Sequence, residues 1–277
     1  MVNSAQFSVS MCVYGKDNPK HFDIAVQSIL DQTIPPTEVI LVVDGPVPDE
    51  LDLVICKYEV NPLFRTIRLE ENQGHGNARR IGLQNCNYDL VALMDADDIS
   101  VSYRFEKQLK IFDNNSSVSL VGGMITEFID DPANIVAMRT VPSKDSEIKA
   151  YMKKRCPLNQ VTVMFKKAVV EQAGGYIDWH NEEDYYLWIR LVLINAEFFN
   201  IDDVLVNVRI GPEMYERRGG IKYFKSEYRL QRFMYEKSII SLGRFLINVS
   251  QRLVVQVFLP SRMRGWVFQQ FVREKIK

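Results

Sequence analysis

Apolar and polar positions along the first hundred residues alternate between two periods. The runs "FSVSMCVY" (7–14), "TEVILVVDG" (37–45), "FRTIRLE" (64–70) and "DLVALMD" (89–95) are short, apolar and mostly rich in β-branched residues, which predicts strands. Between them, "KHFDIAVQSILDQ" (20–32), "PDELDLVICKYEV" (48–60) and "GHGNARRIGLQNC" (74–86) predict helices. The second helix opens with acids that suit the positive end of its dipole. Strands and helices in strict alternation, with near-continuous apolar strands, predict an α/β fold built on a mostly parallel central sheet flanked by helices. Such sheets take ligands at the carboxyl ends of their strands. Asp44 and an acidic cluster, Asp95, Asp97 and Asp98, fall at two such ends, which predicts one cleft for both.

The second half is more mixed. "SLVGGMITEFID" and "NIVAMRTV" predict a hairpin around the Asp130-Asp131-Pro132 turn. Residues 143–155 predict a helix capped by Ser143. "QVTVMFKKAVVEQAGGY" predicts a strand and a short helix stopped by Gly174-Gly175. "EEDYYLWIRLVLIN" (182–195) is a helix that starts with three acids, residues 197–210 are extended, and from 219 onward the pattern is helical.

Charge changes the picture at one point. The net charge of the 277 residues is −1, yet residues 217–277 carry 14 Lys/Arg against 3 Asp/Glu. Residues 1–216 carry 20 against 32. This asymmetry predicts a tail that meets an anionic surface, either a membrane or the acidic body of the protein itself. Four well-separated cysteines without a CxxC pair predict reduced thiols in a cytoplasmic protein, not a disulfide framework or a zinc site. No run approaches the roughly 18 apolar residues of a membrane span. The chain as a whole is not basic, which argues against a nucleic-acid partner.

Four groups carry candidate chemistry. Asp95 and Asp97, two apart beyond a buried strand, can turn to one side and with phosphate oxygens seat a hard divalent cation; a solvated acidic turn is the alternative. Asp44 at a strand end can accept a hydrogen bond from a ring N–H such as N3–H of uracil, which thymine shares, or serve as an ordinary Asp-Gly turn residue. Gly74 and Gly76 precede a helix that bears Arg79, a place for an anion or for solvated arginines. Glu183 and Asp184 open a helix as dipole caps or as a base, and Trp179 and His180 just before them suit stacking on a sugar ring or plain packing.

In order and spacing, "VVDG", "NQGHGNARRIG", "MDADD" and "AGGY…EEDYYLWIRL" resemble family 2 glycosyltransferases of the GT-A (nucleotide-diphospho-sugar transferase) fold, over roughly residues 7–210. Residues 207–228 are similar to a bacterial subgroup that builds O-antigen or capsule. The resemblance implies an inverting transfer of a hexose-type sugar from a nucleotide diphosphate, UDP in first place and dTDP in second, to a hydroxyl of a glycan or polyprenyl-linked acceptor. It implies that Asp44 contacts uracil, Arg79 lies near the nucleotide, Asp95 near the ribose, and Asp97, with Asp95 beside it, holds Mn2+ or Mg2+. Tyr14 and Gly74 complete the implied donor site. Asp184 is the implied base, with Glu183 as its neighbour. Trp179, His180, Asn159 and Gln160 fall on the implied acceptor side, Gln160 standing where relatives often carry His. Arg217 and Arg218 either close over the diphosphate or make salt bridges.

The same resemblance divides the chain into a catalytic domain at 1–216, with a nucleotide-binding half (1–100) and an acceptor half (101–216), and a basic, aromatic-rich helical C-terminal extension at 217–277. The expected location is the cytoplasm, with the extension able to touch the inner face of the plasma membrane. A sugar-phosphate nucleotidyltransferase is the rival enzyme, but it would want a Gly-rich phosphate loop after the first strand, where only Gly15 is present. A non-catalytic module that binds nucleotide sugars or glycans is the other alternative.

Overall fold

The computed structural model describes residues 6–211, 219–260 and 263–264. The predicted β-α alternation forms as β1 (Phe7–Tyr14), α1 (Pro19–Leu30), β2 (Glu38–Asp44), α2 (Asp49–Glu59), β3 (Phe64–Arg68), α3 (His75–Asn85) and β4 (Leu90–Met94). Asn18 caps α1 through its side-chain oxygen, which accepts from the amides of Lys20 and His21, and Pro19 follows at the first helical position. The strand order is β3-β2-β1-β4, all parallel. Alternate residues of β2 serve opposite faces: Val39, Leu41 and Val43 pack in a core with Phe22, Val26 and Ile55 of α1 and α2. Ile40 packs on the other face with Leu83 of α3. Helix α3 lies so close to β1 that a Cβ on Gly82 would come within 2.4 Å of the Ser10 hydroxyl.

Beyond β4 the sheet becomes mixed. β5 (Ile99–Ser100) and α4 (Arg104–Asn114) lead to the long β6 (Val118–Phe128), and β7 (Ile135–Arg139) returns on it as the predicted hairpin. After α5 (Asp145–Met152), β8 (Met164–Lys166) inserts antiparallel between β4 and β6. α6 (Lys167–Gln172) and α7 (Glu183–Leu193) precede β9 (Glu197–Arg209), which runs parallel to β6. The first half of the sheet is thus wholly parallel, and the second half mixes antiparallel pairs with the parallel β6–β9 pair. The expected Ser143 cap does not form: α5 starts at Asp145, and the Ser143 carbonyl instead accepts from the Asn200 amide of β9. The cap position falls to Lys144, whose side chain makes no capping bond.

After β9 the described residues form α8 (Ile221–Glu236) and α9 (Leu242–Leu253), followed by a wider helical turn at Val254–Phe258. Leu230, Met234 and Ile240 share one apolar cluster with Trp188, Leu187 and Ile189 of α7. The described part of the extension therefore packs on the second half of the fold. Among the described residues, no helix is long and apolar enough to cross a membrane. Arg217 and Arg218 lie outside the described residues.

Candidate active site

The carboxyl ends of β1, β2 and β4 meet the amino end of α3, as expected where strand order reverses about β1. Asp44 is buried there, and its two carboxylate oxygens accept from the backbone amides of Gln73 (2.7 Å) and Gly74 (3.1 Å). It thereby fixes the loop that opens α3. Two glycines allow this fit. Gly74 has φ +86°, and Gly45, with the same φ, sits where a Cβ would lie 2.5 Å from the Asn72 nitrogen. Gly45→Ala should cost about 1–3 kcal/mol by displacing the Asp44-bound loop, a loss that denaturant unfolding would read. Beside this loop a hollow of about 300 Å³ opens, lined by Gly45, Pro46, Val47, Arg68 and Leu69.

The three acids of the cluster divide their tasks. Asp95 pairs with Arg79. Asp98 is buried and accepts from the Arg209 amide at 2.9 Å, so it closes the end of β9; burial, with Asp97 and Asp95 adding to it, pushes its carboxyl well up. Asp97 is exposed. A fourth acid that sequence reading missed, Asp17, caps the turn after β1 by accepting from the Tyr14 amide at 2.9 Å. Burial raises it to about 7, and the nearby charges of Asp97 and Asp95 push in the same direction. Tyr14 itself is exposed at the end of β1.

Arg79 is fully buried and ties the site together. Its guanidinium donates to the Ser10 carbonyl (3.1 Å) at β1, to the Met94 carbonyl (3.4 Å) at β4, to Asp95, and to Nε2 of His75 (3.3 Å). The other ring nitrogen of His75, Nδ1, bonds Glu183 Oε1 at 2.8 Å. With Nε2 accepting from Arg79, Nδ1 carries the proton. Gly76 lets α3 approach this region: a Cβ there would sit 3.4 Å from both Asp178 Cα and Glu183 Cβ. His75 was not singled out in the sequence, although a histidine between two glycines at a helix start was the available signal.

Glu183 and Asp184 at the start of α7 are held in opposite states. Burial pushes Glu183 up, but its hydrogen bond from His75 and the positive charge of Arg79 outweigh it and hold this carboxyl below its usual range. Burial and the negative charge of Glu183 raise Asp184 to about 6. Glu182, one residue earlier, is buried and accepts from the Tyr223 hydroxyl at 2.8 Å. Ser226 donates to the His180 carbonyl at 2.7 Å. The extension therefore grips the loop that presents Asp184.

The remaining expected residues sit differently. Asn159 is buried, donating to the Gly123 carbonyl at 2.8 Å, so it braces β6. Gln160 begins a single helical turn beside it. Trp179 stacks on Tyr186 with ring centroids 4.3 Å apart, and Arg229 covers it at 4.7 Å. Its ring is engaged in packing on the extension. His180 is exposed.

The chain matches known proteins over most of its length. The family model for glycosyl transferase family 2 matches residues 8–171. An uncharacterized glycosyltransferase of Haemophilus influenzae is 38% identical over 97% of this chain and 100% of the relative. The UDP-Gal:alpha-D-GlcNAc-diphosphoundecaprenol beta-1,3-galactosyltransferase of Escherichia coli is 37% identical over 98% of each chain. Among solved structures, S. aureus TarS 1-349 in complex with UDP-GlcNAc aligns with TM-score 0.64 at 16% identity, over 96% of this chain and 76% of that one. A mannosyltransferase of Pyrobaculum calidifontis in complex with GDP-Man and Mn2+ aligns with TM-score 0.61 at 13% identity, over 96% and 81%. These two likenesses establish the GT-A fold.

Proposed function

We infer that this chain, which belongs to glycosyl transferase family 2, moves a hexose-type sugar from a UDP-sugar, with inversion, to a hydroxyl of a glycan or lipid-linked saccharide in bacterial surface-polysaccharide synthesis. The observation that carries the reading is the node at His75. It follows the loop held by Asp44, touches Arg79 and through it Asp95, and bonds Glu183 beside Asp184. Nucleotide-side and acceptor-side acids thus share one neighbour.

The residues fit a divalent cation shared with substrate. Asp17, Asp95 and Asp97 stand close enough to raise the proton affinity of Asp17, a repulsion that a cation relieves. Among the described residues, no three metal-ligating side chains form a cage. That suits Mn2+ or Mg2+ held by Asp97 and Asp95, with diphosphate oxygens and water supplying the rest. Bound there, the cation would stabilise the negative charge that grows on the departing UDP. Asp44 is suited to the nucleobase, since each of its carboxylate oxygens keeps a second lone pair for N3–H.

Asp184 takes the acceptor hydroxyl's proton as that oxygen attacks C1 and the bond from C1 to the diphosphate breaks. A single displacement of this kind turns an α-linked donor into a β-linked product. Glu183, bonded to His75, stays ionised and keeps Asp184 basic.

The pH dependence follows. The carboxylate of Asp184 is the active form, so kcat/KM should rise with pH through a midpoint near 6 and level off above it. The stability effect has the opposite sign. A carboxyl whose folded value is raised from 3.8 favours the folded state when protonated, and that contribution is lost as pH climbs from about 4 to about 6. Release of UDP from a panel of nucleotide sugars, with Mn2+ and a lipid-linked or soluble saccharide acceptor, tests the function. Acceptor-dependent release from one UDP-sugar is expected. UDP binding without release from any donor would leave a binding module in its place.

A further inference from the structure

Helix α9 turns Asn248 and Arg252 inward and its large apolar residues Leu242, Leu246 and Ile247 outward. Asn248, 1% exposed, donates to Gln231 Oε1 (2.7 Å) and to the Lys153 carbonyl (2.9 Å). Arg252 pairs with Glu227 at 2.5 Å, and Gln256 in the following turn is 5% exposed. The opposite side shows Leu242, Leu246 (54% exposed), Ile247, Val254 and Phe258 (69% exposed), with Ser250 and Gln251 as exposed polar residues among them. A helix on a watery surface has the reverse arrangement. The stripe widens toward α8, where the rings of Tyr228 and Tyr235 flank Phe245 with centroids 5.9 and 5.7 Å away. Both tyrosines are themselves partly exposed.

Charge identifies the occupant. Lys225 and Lys237 are exposed on and just beyond α8, and Arg244 is half-buried on α9. The acids of these helices, Glu227 and Glu236, are each paired with an arginine. An apolar stripe edged by tyrosines and cations fits lipid tails, headgroup level and anionic phosphates in turn. Self-pairing would set these cations against their own copies across a two-fold axis. We propose that the α8–α9 surface docks on an anionic lipid bilayer. The proposal deepens the transfer reading and rests on it only for what the bilayer carries. The Gly220 amide bonds the Gln256 carbonyl at 2.9 Å, so the Val254–Phe258 end of the stripe returns to the start of α8. There Tyr223 holds Glu182, two residues from Asp184. A lipid-linked acceptor entering at that end meets the acceptor side of the site.

The test is flotation of the full chain with phosphatidylcholine vesicles, with and without phosphatidylglycerol. Binding is expected to the anionic vesicles, and to fall about tenfold or more for the double variant Leu246→Glu, Phe258→Glu and for neutral vesicles. Leu53→Glu, the same change at an exposed leucine of α2, should float like the parent. UDP titration of each variant verifies the fold. Failure of the parent to float overturns the proposal, as does undiminished flotation of the double variant. A parent that stays with the soluble fraction and forms a dimer the double variant dissociates assigns the face to a second copy. A parent that stays soluble while the double variant loses thermal stability assigns it to the chain's own terminal residues. Flotation needs neither donor nor acceptor, so its failure is distinct from failure of the transfer reading.

Discussion

Asp184→Asn is expected to lower kcat by about 10³-fold while leaving UDP affinity within about twofold. The amide keeps the size of the side chain, and its oxygen can still accept the Tyr185 amide bond of 2.6 Å. What it loses is the capacity to take a proton. Asp97→Ala should behave differently, because Asp97 is assigned to the cation and the diphosphate. It should abolish turnover and also erase the Mn2+ dependence of UDP binding. Isothermal titration with and without Mn2+, beside steady-state rates, separates the two. Normal turnover by Asp184→Asn would remove the base assignment. Equal metal dependence in Asp97→Ala would remove the cation from that residue.

Arg79→Met carries the largest expected stability effect, about 3–5 kcal/mol in denaturant unfolding. Methionine approximates the length of the stem, but the change leaves the carbonyls of Ser10 and Met94 without their guanidinium donor and Asp95 without its counter-charge. Arg80 is the control. Among the described residues its hydrogen bonds are long contacts of 3.4 Å to its near neighbour Asn77, so Arg80→Ala should stay within about 0.5 kcal/mol of the parent. Similar losses for both would mean that the buried bridge between β1 and β4 contributes nothing special.

The parallel half of the fold was legible because each strand and helix there declares itself by local period. Val39, Leu41 and Val43 alternate with Ile40 and Val42, and the two faces follow directly. The acidic cluster at the end of β4 and Asp44 at the end of β2 were legible for the same reason. Pairing across the rest of the sheet was not. β8 inserts between β4 and β6 although about 70 residues separate it from β4, and no short window records that. The role of His75 is of the same kind, since its partner Glu183 lies 108 residues away. Sugar stacking and plain packing both stayed open for Trp179, because exposure cannot be seen in a pattern; its ring packs on Tyr186 and under Arg229. The reversed polarity of α9 escaped for a related reason. Periodicity finds the two sides of a helix, but only the partners of Asn248 and Arg252 reveal which side the protein takes.

Tyr223 and Ser226 grasp the segment that presents Asp184, and this has a consequence for how the molecule can be divided. Cutting the chain ahead of α8 would strip Leu230 and Met234 from Trp188 and unclasp the proton acceptor in one stroke. The proposed lipid attachment and turnover would therefore be inseparable by deletion, and substitutions on the outward side of the terminal helices are the way to dissect one from the other.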